Sequence, residues 1–388
     1  MLTSDVRLAV TRALAATGFT APADPGLRPT GIPGQYAASV ALSVSPSPRA
    51  AAGLLAAALT ALPWVRSADV TGPGYLTITV TCEALAAVAD RVTSLGPACV
   101  SSDALHGSTV PAPPREDPLS AASWEEARSA LAARLTARLA AAAGATVAAA
   151  DETERSRASR PAPETPSSRE PAGSFDEAAG SSQAAGSSQP AGGYEGSSPR
   201  ETTAIAAAVA FAGADAVLFS LARAVPGKPV RIDPAIIARH VLGNPAYAVR
   251  YAHARAASGV RWAAVTADAA SETAAAAVPS EVAAALRRPP ADPVERALLD
   301  ALSWLPERVA IAARRDRPDE FARYLEELAS VTIAALSSPG GHAASGYVAS
   351  HPGTASAPGT GRLALATAAR TGLAAGLGLL GVSAPDRL

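Results

Sequence analysis

The chain has 388 residues, a length that accommodates roughly two or three domains, each with its own core. Hydrophobic residues make up 48% but aromatics only 4%, so thin helix–helix contacts rather than aromatic clusters are expected. The net charge of −1 does not mark the whole chain as a nucleic-acid binder, and a single lysine, Lys228, excludes any mechanism that needs several ammonium groups.

Residues 1–17 place Val6, Ala9, Val10, Ala13 and Leu14 at helical spacing, and Gly18 ends that helix. A Pro/Gly-rich connection leads to an alanine-rich helix over about 48–62. Leu76, Ile78 and Val80 then alternate with Tyr75, Thr77 and Thr79, the period of a half-buried strand entered through Gly72, Pro73 and Gly74. Residues 1–96 therefore read as a small α+β domain.

Residues 97–118 are irregular, and Trp124, Ala127, Leu131, Leu135 and Leu139 predict one amphipathic helix over 123–143. Together, 97–150 read as a connector carrying one helix. Residues 151–200 hold hardly any aliphatic side chains and repeat Gly-Ser-Ser-Gln at 180–183 and 186–189, the composition of a disordered linker. A flexible coil of about fifty residues spans roughly 40 Å and would let two domains move apart. From Thr202 the pattern is helical, and 201–388 read as an all-α bundle of roughly five or six helices. The expected fold is thus multidomain and mainly α.

Cys82 and Cys99 form no CxxC pair and have no histidine cluster, so no metal or other cofactor is expected, and the chain reads as reduced and cytoplasmic. The N-terminus lacks a signal-peptide core. The apolar stretch 363–382 is interrupted by Arg370 and reads as a packed terminal helix rather than a membrane span.

Asn244 followed by Pro245 is a helix start. On that helix Tyr247, Tyr251 and Arg255 share one stripe with Arg250 beside it, and 223–261 carry seven basic residues against one acid, Asp233. Tyrosines interleaved with guanidiniums suit splayed-out RNA bases and their phosphates. The same spacing also suits a helix core, and the residues alone leave both open. His253 lies with Val249, Ala256 and Val260 on another stripe and reads as a buried, hydrogen-bonded histidine.

Asn244, Pro245, Tyr247, Val249, Tyr251, Ala252, His253, Ala254 and Arg255 together resemble the opening helix of the anticodon-binding domain of arginyl-tRNA synthetases. Upstream, 213–220 resemble the Gly-Ala-Asp-Ala-Leu-Arg-Phe-Ser segment behind the name DALR. Downstream, 305–309, 322–328 and 377–385 resemble later parts of that domain. In the N-terminal region, 34–42 and 70–76 resemble the domain with which these synthetases touch the tRNA elbow.

The resemblance implies tRNA contacts at Asn244, Tyr247, Arg250, Tyr251, Arg255 and Tyr324 in the bundle, and at Gln35, Tyr36 and Ser39 in the N-terminal domain. This chain departs from the family at Gln35 for Asp, Ser39 for Asn, Arg250 for Gln and Leu218 for the Arg of the name motif. The His-x-Gly-His turn and the lysine loop of a class I synthetase are absent, and His106-Gly107 is the nearest relic of the turn. The parallel strands of a nucleotide-binding fold are not discernible either.

The expectation is a non-catalytic tRNA-binding protein with no catalytic residue of its own. Its implied partners are a tRNA, an arginine tRNA in the family's case, and the genuine arginyl-tRNA synthetase, with no membrane or metal. The alternatives are a protein-interaction module docking on that synthetase, and arginine–tRNA ligase activity by similarity.

Overall fold

A computed structural model describes residues 2–22, 24–149, 199–271, 292–337 and 360–388. The linker read at 151–200 lies outside the described residues except for its last two, which begin a helix.

Helix α1 (Leu2–Ala16) buries Leu2, Val6, Ala9, Val10, Ala13 and Leu14, the stripe its spacing predicts. Strands β1 (Leu27–Pro29), β2 (Gln35–Ala38), β3 (Val65–Thr71) and β4 (Tyr75–Val80) form an antiparallel sheet in the order β1-β2-β4-β3. The short α2 (Ala41–Val44) precedes α3 (Pro48–Thr60), and α4 (Cys82–Leu95) follows the sheet. The β3–β4 turn lies so close to α3 that a Cβ on Gly74 would sit 2.8 Å from the Pro48 carbonyl carbon, which reserves that place for glycine.

In β2, Tyr36 is paired with Ile78 and Ala38 with Leu76, so these four share the buried face. Gln35 and Ala37 then fall on the opposite face with Thr79 and Thr77, as a side-chain period of two requires.

Helix α5 (Trp124–Ala142) is capped by the Ser123 hydroxyl, which accepts from the Glu126 amide at 3.2 Å. It buries Ala127, Leu131, Leu135 and Leu139 against the C-terminal helices, so 97–150 belong to the core rather than forming a mere connector. On either side of α5, β5 (Thr109–Val110) pairs in parallel with β6 (Thr146–Val147). This miniature β-α-β unit was not legible in the sequence, because two-residue strands leave no periodicity to read.

The C-terminal part contains α6 (Pro199–Ala212), α7 (Ala214–Arg223), α8 (Pro234–Ile237), α9 (Pro245–Ser271), α10 (Pro293–Ser303), α11 (Leu305–Arg314), α12 (Pro318–Ser337) and α13 (Thr360–Leu380). It exceeds the expected five or six helices because apparently continuous segments are broken. Gly213, at φ +85°, turns α6 into α7 through 116°, and Pro306 lies in the first turn of α11. Helix α9 packs against α12 and α13. The stretch Arg362–Leu380 of α13 is long and apolar enough to cross a membrane, but half of it is buried inside the protein, as in a bundle core helix.

The N-terminal domain is docked on the bundle. Thr3 Oγ1 and Tyr36 Oη lie 2.9 and 3.3 Å from Ser303 Oγ, and the Gly34 amide donates to Asp300 Oδ1 at 3.0 Å. Arg7 pairs with Glu307, and Arg314 with Asp24 at 2.7 Å. The Tyr36 ring meets Trp304 at 5.6 Å between centroids, and α4 packs against α10 and α13. The freely reaching pair of domains expected from the linker is therefore replaced by one continuous core through α1, β2, α10 and α11.

Candidate nucleic-acid interface

Helix α9 starts at Pro245, where the missing amide costs no hydrogen bond. Asn244 is buried, and its side-chain amide donates to the Ile237 carbonyl at 2.7 Å and the Arg239 carbonyl at 2.8 Å. The residue expected to contact tRNA thus pins the α8–α9 loop. Along α9, Val249, Ala252, His253, Ala256 and Ala257 are buried, while Tyr247, Tyr251 and Arg255 lie half-buried on the other side.

His253 is the core histidine expected. Its Nδ1 donates to the Pro385 carbonyl at 2.8 Å, and burial holds its pKa below the ordinary imidazole value despite that bond and nearby Asp386.

Tyr247 and Tyr251 stack, with ring centroids 5.7 Å apart and planes at 22°. His240, on the loop before α9, extends the column: its ring lies 5.3 Å from Tyr247 with planes at 12°. His240 was not among the sequence candidates. It precedes Tyr247 across a loop, so no helical spacing connects the two.

Four other bundle candidates are engaged internally. Arg250 lies 3.3 Å from Asp215 Oδ2 and 3.5 Å from Ser383 Oγ, so the charge expected to meet a phosphate is balanced inside the protein. Arg255 donates to the Leu336 carbonyl at 3.4 Å and Ser337 Oγ at 3.1 Å, satisfying the last turn of α12. Tyr324 is 5% exposed, donates to the Ala301 carbonyl and carries the Arg308 guanidinium 5.0 Å from its ring centre. Burial raises its phenol pKa well above the ordinary value. Tyr324 is a core residue, like Asn244, and neither is available to RNA.

In the N-terminal domain, Tyr36 is fully buried at the seam with α10, which corrects its reading as an elbow contact. Its neighbour Gln35 is on the opposite sheet face, with Nε2 donating to Thr79 Oγ1 at 3.4 Å. Ser39 is half-buried against Gly26, where an added Cβ would meet the hydroxyl at 2.3 Å. The alternation of a strand prevents Gln35 and Tyr36 from serving one ligand side by side.

In a parallel β-α-β unit a nucleotide binds at the carboxyl end of the first strand, before the helix. Between β5 and α5 that path reaches Ser120, Ala121, Ala122 and Ser123, with no histidine. His106 lies before β5, at the other end of the strand. A cleft of about 470 Å³ beside this turn is lined by Glu116, Asp117 and Glu126 and by no lysine or arginine, a setting that repels phosphates. Among the described residues no group of three His, Cys, Asp or Glu side chains could hold a metal ion. Burial raises the Cys99 thiol pKa to about 11.

Residues 249–388 of this helical part match the family described as the DALR anticodon binding domain. Part of the chain is similar to arginine–tRNA ligases. It is 38% identical over 182 residues to the arginine–tRNA ligase of Frankia alni, an alignment covering 45% of this chain and 29% of the ligase. To that of Bifidobacterium longum strain DJO10A it is 37% identical over 196 residues, covering 46% and 29%. The chain therefore spans less than a third of the length of these relatives. The solved arginyl-tRNA synthetase of Thermus thermophilus shares the fold, with a TM-score of 0.59, 16% identity and coverage of 100% of both chains.

Proposed function

We propose that this protein binds the anticodon arm of a tRNA through its C-terminal domain and does not itself attach an amino acid. The observation that carries the reading is the stacked, half-buried pair Tyr247 and Tyr251 on α9, the helix within which the match to the anticodon-binding family begins. Aromatic faces at a surface accept unpaired bases, and the exposed guanidiniums of Arg231 and Arg239 add the charge that a phosphate backbone needs. The non-catalytic part is supported by the turn between β5 and α5, where serine and alanine stand in a cleft bordered by acids. A class I synthetase needs histidines there to stabilise the transferring phosphate.

Binding of the purified chain to an arginine tRNA and to an unrelated tRNA, at two salt concentrations, tests the first part. Selective binding that weakens with salt is expected, and equal or absent binding would remove the reading. ATP–pyrophosphate exchange dependent on arginine tests the second part, with no exchange expected; measurable exchange would overturn it.

A second reading, docking on a full-length arginyl-tRNA synthetase, is favoured by the exposed Val241 and Leu242. Co-elution of the two proteins without RNA would establish it.

A further inference from the structure

We propose that His240 is a nucleobase platform, on whose outer face one unpaired base of a bound RNA stacks as the fourth ring of the column running from Tyr251 through Tyr247. The proposal rests on the anticodon-arm reading and adds the residue and the contact chemistry. Tyr247 stacks on both neighbours, with ring centroids 5.3 Å from His240 and 5.7 Å from Tyr251. The order of exposure is what matters: Tyr251 and Tyr247 are half-buried along α9, and His240 is the exposed member at the end. An aromatic column that ends at solvent presents a π-face to the next flat ring, and every base offers one.

The platform is built before any ligand arrives. Asn244, buried beneath the loop, holds the carbonyls of Ile237 and Arg239 and so fixes the backbone immediately before His240. Little ordering is then left for binding, which leaves more of the stacking energy as affinity.

The surroundings suit a nucleotide. Ile236, Val241 and Leu242 are each more than half exposed and give a ribose an apolar rim. Arg239 is exposed beside His240 and supplies a cation for the phosphate. The nearby acid, Asp233, accepts the Ala235 amide at the start of α8. An apolar rim alone would equally suit a protein; the near-parallel rings favour a base.

The test uses the full chain and anticodon stem–loop hairpins of an arginine tRNA, with 2-aminopurine placed at each loop position in turn. The wild type should quench fluorescence at one position. His240→Ala should abolish that quenching and weaken hairpin binding by about 5- to 150-fold, the range that loss of one base–aromatic stack produces. His240→Phe should retain both, and all three proteins should melt alike. Unchanged affinity and quenching in His240→Ala would overturn the platform and leave the anticodon-arm reading standing. If the wild type binds neither hairpin nor tRNA at low salt, both fall, and co-elution with the synthetase lost in His240→Ala would reassign this corner to a protein partner.

Discussion

Arg250 lies 3.3 Å from the Asp215 carboxylate, which also accepts the Ser383 amide at 3.0 Å. Asp215 belongs to the segment resembling the DALR name motif, Arg250 to α9 and Ser383 to the tail. One carboxylate thus ties three separated stretches together. Both partners of the ion pair are about one-quarter exposed, so screening limits its worth to about 0.5–1 kcal/mol. Arg250→Ala should lower stability by about that amount and leave the salt dependence of RNA binding unchanged. A slope reduced by about one unit would instead place Arg250 on a phosphate. Parallel melting and salt titrations decide between the two.

Tyr251 and Tyr324 should respond in opposite ways. Tyr251 is half-buried in the ring column, and Tyr251→Ala should weaken tRNA binding by about 1–3 kcal/mol with a smaller effect on melting. Tyr324 donates its hydroxyl to the Ala301 carbonyl inside the core. Tyr324→Phe should cost about 1 kcal/mol of stability and leave binding alone. Loss of binding in Tyr324→Phe without loss of stability would contradict its assignment to the core.

The elements that the sequence made legible are those with long periodicity. Helix α1, β4, α5 and α9 fall where apolar spacing puts them, and His253 was placed in the core by its stripe. The site was harder to read, because a residue's type and helical face do not tell whether its polar atoms are already engaged. Asn244, Arg250 and Arg255 carry the chemistry of RNA contacts, yet their partners at Ile237, Asp215 and Ser337 come from distant segments. The burial of Tyr36 follows from strand alternation: with Ala38 on the core face, period two sends Tyr36 inward. His240 left no such trace, since only the folded loop brings it onto Tyr247.

The seam between the domains should be sensitive to pH through Asp300. Burial pushes its carboxyl up to about 6, against the opposing pull of the Gly34 amide, Trp304 and Arg308. A carboxyl raised on folding favours the protonated form in the folded chain. Its stabilising contribution is therefore complete below the unfolded value of about 3.9 and is lost as pH rises through about 6. Asp300→Asn keeps an oxygen for the Gly34 amide and removes the titration. Relative to the wild type, the variant should gain about 1–2 kcal/mol between pH 4 and 7, a figure reduced for the partial exposure of Asp300. Melting curves that stay parallel across this range would show that Asp300 does not govern the seam.

Two glycines of α13 separate packing from helix propensity. A Cβ on Gly376 would lie 2.5 Å from Leu325 Cδ2, and Leu325 is fully buried in α12. Gly376→Ala must push that side chain into an already filled core and should cost about 1–3 kcal/mol. Gly378, two residues on, has no atom within 4 Å of the same position and is exposed. Gly378→Ala should therefore stabilise the protein by about 0.5–1 kcal/mol through helix propensity alone. Thermal melting of the two variants gives shifts of opposite sign if α13 packs on α12 at this distance. Stabilisation by both would mean that the two helices do not approach so closely, and that α9, which packs against both of them, is held by a looser frame.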